Sequence, residues 1–442
     1  MLIGLDCAEP SLVIERWRDE LPTLGALIER GRYGRLRSVV PPITVPAWSC
    51  MMSSRTPGDL GIYGFRNRAD RSYDALYVAD GSAVKAPRLW DLATRNGKRS
   101  IVVGVPGTYP PRPLNGVLVS CFLTPASAPT FTYPPLLSHE VRQVVGEYLF
   151  DCTNFRTDDR SDLLRQVYDM TDRRFALAEH LLSTRPWELF ALVEIGLDRM
   201  HHAFWNEPDA VLAYHRHLDG LIARLLAHAD DETTALVVSD HGAKKMEGGV
   251  RVNEWLRREG LLRTLREPDG VSSLADVGVD WSETTAWGEG GYYGRVFLNV
   301  RGREPSGTIA AEDYERARED LAQRLAAIPG PDGSPLGTRV FKPEDVYEEV
   351  NGIPPDLIVY FGDLAWRSVG TVGGDDGIHT SENDTGHDEA NHAQDGLLIM
   401  AGPAVQSGPA VGMSLLDVAP TVLELLGLEA TPSMRGRSLL SS

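Results

Sequence analysis

The chain has 442 residues, 42% of them hydrophobic, and a formal net charge of −18 at pH 7. That length can bury a large core as one α/β domain, with or without an inserted cap. The acidic balance argues against sequence-independent nucleic-acid binding, which depends on a basic surface. The sequence also lacks an apolar run of the roughly 18 residues that a membrane span requires.

The first predicted strand, residues 2–5, is apolar and ends directly at Asp6. A helix is predicted over residues 12–30. Further on, Thr44 stands shortly before a proline and a helix start predicted at about Ala47. A helix N-terminus offers N–H donors and the positive end of the helix dipole, which would suit a phosphate held against the threonine oxygen. The alternative is that Thr44 is an ordinary turn or N-cap residue.

The next part of the chain alternates predicted helices and strands: a helix over 88–96, a strand over 100–105 and a helix over 162–183. Between them, residues 106–159 are rich in Pro, Thr and aromatic side chains and are predicted to form an insertion. Such alternation predicts a mostly parallel sheet covered by helices on both faces.

Asp198 follows the apolar strand predicted over residues 189–195, and His202 comes four residues later. If a helix begins there, both side chains lie on one helix face and are close enough to bind one ion. Aspartate and histidine together suit a borderline cation such as zinc, or manganese or iron.

Asp240 and His241 end the apolar strand predicted over 235–239, which follows a helix predicted over 208–228. In open α/β sheets, active sites lie outside the carboxyl ends of the strands. These two side chains are therefore also candidate metal ligands. The plain alternative is a strand followed by a polar turn.

Residues 267–337 are a second predicted insertion, and they contain a Gly-rich run at 287–294 and a predicted helix at 311–327. The run could cradle a phosphate, but it lacks the Lys-Ser/Thr ending of a P-loop, and an ordinary turn is the alternative. Strands are predicted at 356–361 and 397–401.

A loop at 370–396 joins those last two strands and contains three histidines, His379, His387 and His392. Its acidic residues could hold an additional ion: Asp375, Asp376, Glu382, Asp384, Asp388 and Glu389. Their spacing does not match an EF-hand, so a solvated acidic loop is the alternative. The last predicted helix, 415–426, ends before Gly427.

In this order, the segments resemble the alkaline phosphatase superfamily, specifically its type I phosphodiesterase and nucleotide pyrophosphatase branch and bacterial phosphohydrolase/phosphomutase-like proteins. The resemblance covers nearly the whole chain. It implies an alkaline-phosphatase-like sandwich, with a central mostly parallel sheet between helices and one catalytic domain, 1–442, carrying cap insertions at about 106–159 and 267–337. One metal site would comprise Asp6, Thr44, Asp240 and His241, and the other Asp198, His202 and His392.

His392 is preferred to His387 because it lies four residues before Gly396 and the final apolar run. This matches the branch's pattern of a ligand histidine, a short turn and a strand. His387 remains the alternative ligand.

The resemblance also implies the chemistry: phosphoryl transfer in two steps, with Thr44 as nucleophile and carrier of a covalent intermediate. Two divalent ions would assist it, with zinc preferred and manganese or iron as alternatives. They would bring four positive charges against three from Asp6, Asp198 and Asp240, so a small phosphorylated substrate could bind despite the acidic surface.

The sequence differs from the branch at Phe65, which stands where nucleotide pyrophosphatases have an Asn that contacts a phosphate oxygen. Arg66 or Asn67 could make that contact in place of the Asn. A phosphomonoesterase or phosphomutase acting on a small phosphorylated metabolite is therefore an alternative. A sulfatase-like hydrolase would need a Cys or Ser at the position of Thr44. A metal-binding protein without catalysis would not need Thr44.

The four cysteines are scattered without a Cys-x-x-Cys pair, so the sequence indicates neither a structural zinc cluster nor a disulfide scaffold. The N-terminus has neither a basic region nor a long apolar stretch, and a cytoplasmic location is expected. The sequence leaves the oligomeric state open.

Overall fold

The middle of the central sheet is built from short strands that are almost entirely apolar and completely buried, such as Leu2–Leu5 and Leu189–Glu194. Continuous apolar runs of this kind are typical of parallel strands that are covered on both faces. The computed structural model describes residues 1–374, 377–381 and 385–440. Within them, ten strands form this sheet, nine of them in the order Gly408–Pro409, Arg32–Arg37, Asp395–Ala401, Ala235–Val238, Leu2–Leu5, Leu189–Glu194, Ser100–Val103, Gly116–Val119 and Thr132–Tyr133. The tenth, Met413–Ser414, pairs with Arg32–Arg37.

The strand directions explain which residues meet at one edge of the sheet. Leu2–Leu5 pairs in parallel with Leu189–Glu194 on one side and Ala235–Val238 on the other. Their carboxyl ends therefore lie together. Asp395–Ala401 runs antiparallel to Ala235–Val238, so its amino end, and the residues just before it, lie at that same edge.

Contacts within the backbone divide the chain into two compact units. The first comprises Met1–Leu60, Ala79–Ala243 and His392–Ser442, and the second Gly61–Val78 and Lys244–Asn391. Residues 106–159 belong to the first unit and residues 267–337 to the second. The single domain with two cap insertions stays a prediction.

The first unit contains the ten-stranded sheet and a large apolar core around it. Its α-helices within the described residues are Pro22–Arg30, Thr44–Ser53, Pro57–Leu60, Leu89–Arg95, Leu137–Val145, Arg160–Thr184, Gly196–Phe204, Pro208–Leu226 and Val418–Leu425. A π-helical turn at Ser11–Arg16 and a 3-10 turn at Arg18–Glu20 precede the helix Pro22–Arg30, and a 3-10 turn at Leu415–Asp417 precedes the helix Val418–Leu425.

The second unit has its own apolar core and smaller sheets. Among its described residues, a four-stranded sheet has the order Ala286–Glu289, Gly294–Leu298, Leu357–Tyr360 and Arg339–Phe341. A three-stranded sheet has the order Trp366–Val369, Gly248–Arg251 and His379–Thr380, and a hairpin joins Arg66–Arg68 to Leu76–Val78. Its helices are Val252–Arg258, Leu274–Val277, Tyr314–Ala326 and Pro343–Val346, with 3-10 turns at Ala311–Asp313 and Phe361–Leu364. The strands Gly242–Lys245 and Ala390–Ala393 lie where the chain passes between the units.

The predicted continuous helix over 12–30 is wrong, because the α-helix covers only Pro22–Arg30. Proline has no N–H to donate, and its ring disfavours the helical conformation of the residue before it. Leu21 accordingly has φ −124° and ψ 75°. The chain before it forms only short turns.

The helix after Thr44 begins earlier than predicted, at Thr44 itself rather than near Ala47. Pro46 is its third residue. This is compatible with a helix because N–H groups in the first turn have no acceptor within the helix. Thr44 is therefore the first residue of a buried ten-residue helix that ends at Ser53.

Among the acidic residues of the loop 370–396, Asp375, Asp376, Glu382 and Asp384 lie outside the described residues. All four cysteines are buried and free. No helix in the described ranges is both long enough and apolar enough to cross a membrane.

Candidate active site

Three buried aspartates lie at the sheet edge where the parallel strands end. Asp6 directly follows Leu2–Leu5, and Asp240 comes two residues after Ala235–Val238. Asp198 is the third residue of the helix Gly196–Phe204, which begins shortly after the strand that ends at Glu194. Because neighbouring parallel strands deliver them, these carboxylates converge although they are far apart in sequence.

The first ligand group is formed by Asp6, Asp240 and His241, whose ligand atoms all lie within 4.8 Å of one another. His241 Nε2 lies 3.2 Å from Asp240 Oδ2 and 3.7 Å from Asp6 Oδ1. Thr44 Oγ1 is 3.4 Å from the same nitrogen. The structure thus brings together the four residues assigned to the first predicted metal site.

The second group is centred on Asp198 Oδ1. This oxygen lies 3.2 Å from His202 Nε2 and 3.8 Å from His392 Nε2. The two imidazole nitrogens are 3.3 Å apart. Asp198 and His202 are one turn apart on a helix, as predicted, and His392 comes from the residues before the antiparallel strand Asp395–Ala401.

His241 lies between the two groups. Its ring stacks on that of His392 with the centroids 3.7 Å apart, and its ligand atom lies within 4.8 Å of those of Asp198 and His392. The two predicted metal sites are therefore immediate neighbours. The family resemblance had placed His241 in the first site alone.

The donor atoms fit divalent cations. Ligands arranged tetrahedrally at about 2.0–2.1 Å from zinc are about 3.3 Å apart, close to the shortest separations in both groups. Within the described part of the chain, one oxygen of each carboxylate is buried without a hydrogen-bond partner: Asp6 Oδ1, Asp198 Oδ1 and Asp240 Oδ2. These are the oxygens that face the histidine nitrogens, and a bound cation would satisfy each of them.

The opposite oxygen of each carboxylate is held by a donor. The Trp48 indole N–H donates to Asp6 Oδ2 at 2.7 Å, and Arg199 Nη1 donates to Asp198 Oδ2 at 2.5 Å. The backbone N–H of Cys7 donates to Asp240 Oδ1 at 3.3 Å. Each aspartate is thus oriented with one oxygen toward the ligand groups.

Backbone carbonyls orient two of the imidazoles. His392 Nδ1 lies 2.8 Å from the Pro42 carbonyl oxygen, and His241 Nδ1 lies 3.1 Å from that of Gly242. A proton on Nδ1 donates to these oxygens, so Nε2 presents its lone pair to the site. This is the usual arrangement around metal-binding histidines.

The electrostatics of the site favour a cation. Burial and the negative charge of Asp198 raise the pKa of Asp6 well above its usual range, and burial and Asp6 raise the pKa of Asp240. Burial opposes ionisation of Asp198 too, but His202 and Arg199 hold the pKa of that carboxyl well below its usual range. Burial lowers the pKa of His241 to about 4, which keeps this imidazole neutral and able to act as a ligand.

Trp48 is a supporting residue that the sequence analysis missed, although it lies one helical turn after Thr44. Its ring packs so tightly against the first strand that a Cβ at Gly4 would lie 2.4 Å from it. One buried helix therefore carries both Thr44 and a group that orients Asp6. The four-residue spacing within that helix is the signal that could have identified Trp48.

A buried ion pair supports the helix that carries Asp198. Glu194 Oε1 accepts a hydrogen bond from the Gly196 N–H at 2.6 Å, and Glu194 Oε2 lies 3.2 Å from Arg174 Nη1. This pair anchors the start of the helix to the end of the strand. Its sequence signal is a lone Glu in an otherwise apolar strand.

Arg66 and Asn67, the two candidates to take the role of the phosphate-contacting Asn, lie in the second unit. Asn67 is buried and Arg66 is exposed. The buried Asn67 side chain accepts from the Tyr63 N–H at 2.8 Å and donates to the Gly64 carbonyl at 2.9 Å. Its amide is therefore engaged within its own loop.

His392 and His387 differ in their surroundings. His392 is buried among the ligand atoms, whereas the His387 side chain is 37% exposed and its Nε2 lies 3.0 Å from Glu389 Oε1. We expect His392→Ala to lose one bound ion and most of its rate, and His387→Ala to keep both ions, as measured by metal content and hydrolysis. The reverse pattern would transfer the ligand role to His387.

Comparisons with known proteins identify the family and the fold of the chain. A sequence model described as type I phosphodiesterase / nucleotide pyrophosphatase matches residues 1–393. A sequence search of curated proteins found no match. The structure is similar to that of human ectonucleotide pyrophosphatase/phosphodiesterase 5, with a TM-score of 0.61 and 14% identity over 98% of this chain and 96% of the human one.

The murine protein of the same name is similar to this chain with a TM-score of 0.59 and 12% identity, over 98% of this chain and 95% of that one. It was also solved as an inactive variant in complex with AMP, with the same score, identity and coverage. These likenesses confirm the predicted alkaline-phosphatase-like fold. Because the family match spans most of the 442 residues, the chain belongs to the type I phosphodiesterase/nucleotide pyrophosphatase family of phosphoester hydrolases.

Proposed function

We propose that this protein is a metal-dependent phosphodiesterase or nucleotide pyrophosphatase that acts through a phosphothreonine on Thr44. The observation that carries the proposal is the convergence of Thr44 with two adjacent Asp/His groups, in which three buried carboxylate oxygens face the histidine nitrogens. A protein that only binds metal would have no need for a threonine hydroxyl 3.4 Å from His241.

The first turn of the helix Thr44–Ser53 supplies the phosphate-binding end of the site. The N–H groups of Thr44 and Val45 have no acceptor within the helix, and Pro46 has no N–H. Donors at a helix N-terminus attract phosphate oxygens, and the helix dipole adds to that attraction. A phosphoryl group bound there would lie directly against the Thr44 oxygen.

Asp6, Asp240 and His241 would hold one cation beside Thr44, and Asp198, His202 and His392 a second. Bound divalent ions would make the Thr44 hydroxyl a stronger nucleophile and neutralise charge on the phosphate and the leaving oxygen. Thr44 Oγ1 loses its proton and forms a bond to phosphorus while the bond from phosphorus to the leaving oxygen breaks, and the leaving oxygen takes up a proton. Water then cleaves the phosphothreonine, which restores the hydroxyl and releases the phosphorylated product.

The nature of the substrate is the less constrained part of the proposal. A nucleotide is favoured because the murine relative was solved in complex with AMP. Phe65 favours the second candidate, a phosphomonoesterase or phosphomutase, because it occupies the place of the phosphate-contacting Asn of nucleotide pyrophosphatases. Zinc is the preferred cation, with manganese or iron as alternatives.

Hydrolysis of two chromogenic substrates tests whether the protein prefers phosphodiesters or phosphomonoesters. We expect kcat/KM to be higher for bis-p-nitrophenyl phosphate, a diester, than for p-nitrophenyl phosphate, a monoester. The Thr44→Ala variant measured in parallel shows whether both reactions use the same site. A clear preference for the monoester would favour the phosphomonoesterase or phosphomutase alternative.

A further inference from the structure

Arg199 links Asp198 to a residue of the segment 106–159. Its Nη1 donates to Asp198 Oδ2 at 2.5 Å. On the other side of the guanidinium, Nε and Nη2 donate to the two carboxylate oxygens of Asp151 at 2.9 and 2.7 Å. The guanidinium therefore bridges two carboxylates, one of which belongs to the second ligand group.

Two aromatic rings from the same segment lie beside this guanidinium. The Arg199 Cζ atom lies 4.3 Å from the centre of the Phe155 ring and 5.7 Å from that of Phe122. Phe155 also lies beside His202, with ring centroids 6.5 Å apart. Arg199 is thus held by a fork of hydrogen bonds and by contacts with two aromatic rings, and only 8% of it is exposed.

Arg199 determines which oxygen of Asp198 faces the ligand group. With Oδ2 engaged by Nη1, Oδ1 is the oxygen that lies 3.2 Å from His202 Nε2. Asp6 and Asp240 are oriented by neutral donors, an indole and a backbone N–H, whereas Asp198 is oriented by a cation. The charge of Arg199 repels a nearby metal ion but also stabilises the ionised form of Asp198, so the effect of orientation has to be tested separately from that of charge.

We propose that Arg199 is a positioning residue for the second cation, and that Asp151 sets the position of Arg199 in turn. The inference rests on the proposed function, because it takes Asp198, His202 and His392 as a cation site. The segment 106–159 would then control the occupancy of that site through one arginine. Groups that orient metal ligands typically change metal affinity or activity by about 10–100-fold when they are removed.

Arg199→Lys separates orientation from charge. Lysine keeps the positive charge but cannot bridge two carboxylates with a planar fork. We expect this variant to bind the second Mn²⁺ or Zn²⁺ ion about 10–100-fold more weakly in equilibrium dialysis without substrate, while binding of the first ion is unchanged. Asp151→Asn, which keeps the shape of the side chain, should weaken the same ion to a smaller extent.

The dependence of kcat on metal concentration distinguishes a positioning role of Arg199 from a purely structural one. At low metal concentration the kcat of Arg199→Lys should fall, and excess metal should restore it, with KM little changed. Arg99→Lys is the matched control, because Arg99 makes a similar fork with Glu188 on the exposed surface, where Nε and Nη2 donate at 3.0 and 3.1 Å. It should behave as the unmodified protein does.

Unchanged affinity for the second ion in folded Arg199→Lys and Asp151→Asn would overturn the inference. A raised KM that excess metal does not correct would also overturn it, because Arg199 would then act on the substrate directly. Since ion binding is measured without substrate, failure of the proposed hydrolysis would leave this test intact.

Discussion

Thr44→Ala is expected to lower turnover by about 10⁴-fold or more, the scale of loss seen when a covalent nucleophile is removed. The hydroxyl is the group that would attack phosphorus, and its oxygen lies 3.4 Å from His241 in the first ligand group. Alanine is compatible with a buried helix, and the Asp and His ligands of both groups remain. We therefore expect the variant to keep its fold and at least one bound ion.

Two substitutions in the same helix serve as controls for Thr44→Ala. Thr44→Ser retains a hydroxyl and should retain measurable activity. Ser49→Ala removes a hydroxyl that donates to the Val45 carbonyl at 2.7 Å, and it should leave the rate nearly unchanged. Rapid quenching of the unmodified enzyme with labelled substrate should trap phosphate on the peptide that contains Thr44. If Thr44→Ala instead hydrolysed phosphoesters at close to the full rate, direct attack by water would be the better mechanism.

The sequence was informative where the signal was local. Short apolar strands that run into Asp6 and Asp240 predicted side chains at the end of a sheet, and the structure has them there. The four-residue spacing of Asp198 and His202 predicted one helix face, which the helix Gly196–Phe204 confirms. In each case a few consecutive residues determine the geometry.

The sequence was less informative where distant residues decide the geometry. Trp48 orients Asp6, and Arg199 orients Asp198, through contacts that depend on packing. The four-residue spacing from Thr44 marks the position of Trp48 on its helix but does not specify Asp6 as its partner. The position of His241 between both ligand groups depends on how His392, in the strand Ala390–Ala393, packs against its ring. The break before Pro22, by contrast, had a local signal, the proline itself, which the prediction of a continuous helix over 12–30 did not take into account.

Metal analysis of the purified protein is expected to show close to two divalent ions per chain, most of them zinc, and dialysis against a chelator should abolish hydrolysis. Each group has enough donors for one ion, and each contains buried carboxylate oxygens that a cation would satisfy. Restoring zinc or manganese should restore the rate. Full activity in metal-free protein would contradict both the metal sites and the proposed mechanism.

The raised pKa values of Asp6 and Asp240 predict how cation binding depends on pH. Because burial raises the pKa of Asp6 and of Asp240, these carboxyls keep their protons into a higher pH range than ordinary aspartates do when no cation is bound. A cation must displace those protons, so binding should release them and affinity should rise as pH increases through that range. Titration calorimetry in two buffers of different ionisation enthalpy measures the number released.

Asp6→Asn and Glu9→Gln separate the effect of ligand loss from the loss of any buried carboxylate. Asp6→Asn removes a ligand oxygen, so it should lose one ion and release fewer protons on binding. Glu9 is also buried near the end of the first strand, but its Oε1 accepts from the Ser11 hydroxyl at 2.8 Å and it belongs to neither ligand group. Glu9→Gln should therefore keep both ions and the proton release of the unmodified protein. Equal losses in the two variants would mean that cation binding depends on the general negative charge of this sheet edge rather than on the oriented oxygen of Asp6.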